Sequence, residues 1–99
     1  MAIKDLYRDT ILETIKSLGK NAIVRIGGID YTFPLMRTQL ENGVLKHFVY
    51  IDEEEGTIES VRLVDSLGRD LQTKETSVEK GADGLVVVFV VKIKIEEGV

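Results

Sequence analysis

The stretch AIVRIGGIDYTF, residues 22–33, is where the hydrophobic period of this chain changes from helical to alternating. Gly27 and Gly28 can supply the positive φ angles of a two-residue hairpin turn, whose twist matches that of the flanking strands. Pairing Ile26 with Ile29, Val24 with Tyr31 and Ala22 with Phe33 puts all six on one face, and brings Arg25 opposite Asp30 on the other. A slip of one residue loses both matches. A phosphate-cradling loop is the poorer reading of the two glycines, because no helix start and no lysine follow them.

Downstream, turn chemistry predicts two more hairpins. Asn42-Gly43 is a strong two-residue turn signal, and it pairs Leu40 with Leu45, Thr38 with His47 and Met36 with Val49. His47, the chain's single histidine, then falls on the more apolar face, as a structural side chain rather than a metal ligand or catalytic base. Pro34, just before this hairpin, suits a strand end or an edge. In ESVRLVDSLGRDL, residues 59–71, Asp65 suits the first position of a type I turn and Gly68 the left-handed position of a bulge, which makes Leu67 an exposed apolar tip and candidate contact. The polar segment QTKETSVEKGADG after it reads as a short edge strand and a loop at Gly81–Gly84.

Upstream, Ile3, Tyr7, Ile11, Ile15 and Leu18 recur at spacings of four and three, with Leu6 and Leu12 widening the stripe. This predicts an amphipathic helix over about 3–19, closed by a left-handed Gly19 and packed on the sheet that follows. The expected fold is α+β and mostly β: one domain, 1–99, in which the helix precedes a β-rich region over about 21–96 whose antiparallel hairpins form a β-sandwich-like sheet.

The last strand, GLVVVFVVKIKIEE, is apolar on both faces from Leu85 to Val91 and alternates from Lys92 onward. Its first part needs cover on two sides, from the helix, a second sheet or another subunit. A single helix shields only part of such a sheet, so a homo-oligomer is expected with Val86, Val88 and Val90 at or beneath the interface.

Composition excludes several roles. With 13 Lys and Arg against 17 Asp and Glu, the net charge of −4 and the scattered cations argue against nucleic-acid binding. Cysteine is absent, which removes disulfides and thiolate metal sites and is compatible with the cytoplasm as the place of synthesis. The charged N-terminus MAIKDLYRDT does not fit a secretion signal, and no apolar run approaches the roughly 20 residues of a membrane-spanning helix. A soluble protein is expected, with no cofactor, no small-molecule substrate and no enzymatic activity, since nothing resembles a convergent catalytic set. The acidic run Asp52-Glu53-Glu54-Glu55 offers oxygen ligands for a cation, but without the ligand spacing of a calcium loop; a solvated acidic turn is the alternative.

Ile58, Leu63, Asp65 and Gly68, set as I-x-x-x-x-L-x-D-x-x-G before a long apolar strand and after an amphipathic helix, resemble the N-terminal domain of phage tail-collar and tail-fibre proteins. The glycine-rich segment such domains carry after the helix is replaced here by NAIVRIGG, and a stand-alone component with no fibre shaft after Val99 is expected. The resemblance implies a structural component of a phage or prophage tail or baseplate, with other tail proteins as partners and the virion tail as its final place. The alternative is a small β-rich adaptor that binds a host or regulatory protein, through a sheet edge for example.

Overall fold

The computed structural model describes residues 5–93, so Ile3 of the helical stripe and the alternation beyond Ile93 lie outside the described residues. The element order is α1 (Asp5–Lys16), β1 (Asn21–Ile26), β2 (Ile29–Pro34), β3 (Arg37–Glu41), β4 (Val44–Ile51), β5 (Gly56–Val64), β6 (Asp70–Lys80) and β7 (Leu85–Lys92). Two antiparallel sheets form, one in the order β2-β1-β5-β6 and the other in the order β3-β4-β7. The fold is thus mostly β with one helix, as the periodicity predicts.

Both glycine-bearing turns have the geometry their sequences predict. Gly27 and Gly28 take φ of 58° and 82°, and Asn42 and Gly43 take 51° and 74°. Ala22 faces Phe33, Val24 faces Tyr31 and Arg25 faces Asp30, while Thr38 faces His47 and Leu40 faces Leu45. The β3–β4 ladder stops at Arg37, however, and Met36 is exposed rather than paired on the buried face. In the β5–β6 turn Gly68 N–H donates to Asp65 O at 3.1 Å, Asp65 N–H donates to Arg69 O at 3.0 Å, and Gly68 has φ 78°, which is a type I turn with a left-handed glycine. β6 runs eleven residues and not the short strand expected, because it pairs along the whole of β5.

Ala22, Val24, Ile26, Ile58, Val61 and Leu63 of one sheet pack on Val49, Ile51 and Phe89 of the other, and all are buried. The helix touches β3 and β4. Leu12 is its buried residue, while Leu6, Tyr7 and Leu18 are exposed, so the face that docks is centred one position away from the predicted stripe. Gly19 does not have the left-handed conformation expected of it. It is there for space: a Cβ would stand 3.3 Å from both His47 Nε2 and Leu63 Cδ1.

Candidate interaction surface

The two outer faces of the sandwich differ in chemistry. On the four-stranded sheet, Arg25 lies 3.7 Å from Asp30 and 3.3 Å from Glu59, and Arg62 lies 3.7 Å from Asp30 and 3.2 Å from Asp70. Such a lattice of exposed ion pairs contributes little to stability, but it keeps a sheet face in water. The three-stranded sheet turns out Phe48 and Tyr50 of β4, facing Val88 and Val86 of β7 in the ladder, with Lys46 facing Val90.

Val86, Val88 and Val90 are 47%, 41% and 39% exposed. Of the covers considered for this strand, the second sheet supplies one side only, that of Leu85, Val87 and Phe89, and the helix lies on β3 and β4. The outer side is bare along the strand. Sequence reading missed Phe48 and Tyr50 as members of this face. The β3–β4 register already placed them opposite to His47 and Val49, but only the β4–β7 pairing brings them beside the valines. The rim is cationic: Arg37 lies over the Phe48 ring at 4.7 Å, and Lys46 and Lys92 flank Val90. Leu67 is 75% exposed, as its turn position predicts, but it belongs to the other sheet's turn and is not part of this face.

The remaining polar residues of interest are explained by folding. His47 is buried, its Nδ1 3.0 Å from Thr38 Oγ1, and burial first and Lys16 second push its pKa below the ordinary value. Asp65 Oδ1 accepts from the Leu67 and Arg69 N–H groups, both at 2.9 Å, and Oδ2 accepts from Arg69 Nε at 2.6 Å. Those bonds, the Arg69 N–H foremost, hold its carboxyl below the usual range. The loop bearing Asp52–Glu55 is organised from inside by a residue the sequence did not single out. Lys80, buried on β6, donates to Asp52 O at 2.7 Å, Glu54 O at 2.6 Å and Gly81 O at 3.0 Å. An ammonium thus holds the loop through its backbone oxygens. Among the described residues no three metal-ligating side chains converge, and no helix is long and apolar enough to cross a membrane. The chain matches no family model, no curated protein and no solved structure.

Proposed function

We propose that this chain is a non-enzymatic structural and assembly protein that self-associates through the outer face of β3-β4-β7, as a small component of a phage or prophage tail or baseplate. The observation that carries the reading is the bare apolar face, set against the ion-paired face on the opposite side of the same sandwich. Arg37, Lys46 and Lys92 on this face outnumber Glu41, in a chain whose net charge is −4. Two copies of a cationic face repel when apposed, whereas the same face meets an acidic surface elsewhere on the next copy favourably. That contact is head to tail, and a head-to-tail contact closes into a ring when its rotation permits. A homo-oligomer, trimeric or larger, is also what the resemblance of Ile58, Leu63, Asp65 and Gly68 to tail proteins implies.

Sedimentation velocity at micromolar concentration tests this. A trimer or larger assembly is expected for the wild type, with Val88→Lys reducing it to monomer while the melting curve holds. A wild-type monomer that binds no ANS would sink the reading, since its apolar face would then be neither occupied nor available.

A further inference from the structure

The sheets differ by one strand, and the excess lies on one side. Along β1 and β5 the core-facing Ala22, Val24, Ile26, Ile58, Val61 and Leu63 are buried. Lys74 and Val78 of β6 face the same way, being paired with Val61 and Ile58, yet both are exposed, Val78 at 43%. β6 therefore overhangs a place in the other sheet that no described strand fills. A groove of about 250 Å³ occupies that place, floored by Ile58, Val61 and Phe89 and walled by Lys74, Val78 and the free edge of β7.

That edge has hydrogen-bonding groups to offer. Gln72 Nε2 donates across the gap to Val90 O at 3.3 Å, so Val90 directs its backbone groups away from β4. Independently, Met36 N–H donates to Phe48 O at 2.8 Å, which turns the backbone groups of Phe48 toward β3 and leaves the facing Val88 outside the β4 ladder bonds. By the alternation of an antiparallel strand, Val86, Val88 and Val90 all present N–H and C=O to the groove. Gln72 Oε1 is buried beside it with no hydrogen-bond partner.

We propose that the groove receives an eighth strand: an extended segment of another polypeptide that pairs with Val86 and Val88, lays alternate apolar side chains over Ile58 and Phe89, and sets one carboxylate against Lys74. Paired backbone supplies the affinity and the alternate side chains the specificity, as in strand addition generally. The incoming backbone also meets Gln72, whose side chain otherwise bonds the edge. A second copy of this domain does not fit, since its β7 carries a four-stranded sheet packed on it, and that sheet would enter the space β6 already occupies. The occupant is a lone strand. This site is separate from the outer face, and the two readings stand or fall apart.

The probe is a synthetic peptide of about seven residues alternating Val and Thr, with one inward Val replaced by Glu, titrated into ¹⁵N-labelled protein. The Val86 and Val88 amides are expected to shift and to gain exchange protection. Val88→Pro removes the edge N–H while sparing the β4 ladder, and weakens binding on the order of tenfold. N-methylation of the peptide on its β7-facing side does the same without altering the protein, which keeps the test sound if the proline variant fails to fold. Lys74→Glu reverses the preference toward a peptide carrying Lys in place of Glu. Lys46→Glu, which changes the outer face beside Val90 and lies outside the groove, leaves peptide binding intact. Binding that ignores both the proline variant and N-methylation overturns the proposal, as does a groove that takes a decanoate chain but no peptide.

Discussion

Lys80→Met removes the ammonium that ties the 52–55 loop to the end of β6, and its cost follows from the three bonds it breaks. At 2.7, 2.6 and 3.0 Å to the carbonyls of Asp52, Glu54 and Gly81, these are charge-assisted contacts of a buried side chain. Hydrogen bonds to charged groups contribute about 1.5–3 kcal/mol each in mutational series. Two effects reduce the total: water replaces the ammonium at carbonyls in an exposed loop, and the desolvation cost of burying the charge disappears with it. The net loss is then about 2–3 kcal/mol rather than three full bonds. In a domain of this size ~1 kcal/mol shifts Tm by roughly 4–8 °C, so Lys80→Met should melt about 10–20 °C below the wild type. Lys74→Met, on the same strand but exposed, should move Tm by only a degree or two. Hydrogen exchange separates loop release from global loss, because amides at 53–56 should lose protection beyond what the fall in stability accounts for. If Lys80→Met melts within about two degrees of the wild type, the ammonium does not organise this loop and its carbonyls are satisfied otherwise.

Two further outcomes test the helix and the core. Leu12→Ala should cost about 2–5 kcal/mol in urea unfolding, as for other fully buried leucines, while Glu13→Ala on the solvent side should be nearly silent; equal effects would mean that α1 does not dock through Leu12. Because the pKa of folded His47 lies below 6.5, the unfolded chain takes up the proton first as pH falls. The contribution is complete above that value and is lost progressively below it, so Tm should decline between about pH 7 and 5.5 in the wild type and decline less in His47→Gln; identical slopes would contradict a neutral buried imidazole.

What the sequence made legible was local. Gly27-Gly28, Asn42-Gly43 and Asp65 through Gly68 specify their turns within four residues, and each turn fixes the register of the strands it joins. Pairings between distant strands have no such signature. β1 with β5 and β4 with β7 join segments whose apolar residues would pack against many partners, and these pairings decide which residues share the exposed face. The same distance hid Lys80, which lies 28 residues from Asp52 and holds the acidic loop through its backbone carbonyls. Gly19 was misread for a related reason: its neighbours in sequence suggested a helix cap, whereas its constraint is the nearness of His47 and Leu63.

The final strand shows where periodicity stops informing. Seven apolar residues from Leu85 to Val91 state that neither face is designed for water, but not whether the chain itself supplies the cover. The strand count answers that. Among the described residues three strands lie under four, one face of β7 meets the core, and its other face and its edge are left over. A sequence selected only to fold would place Lys, Glu or Thr at positions 86, 88 and 90, as it places Arg25, Asp30 and Arg62 on the opposite sheet. The valines cost solubility and add nothing to the internal core. Their presence beside an edge that no described strand pairs is the physical reason for reading this molecule as one part of a larger assembly.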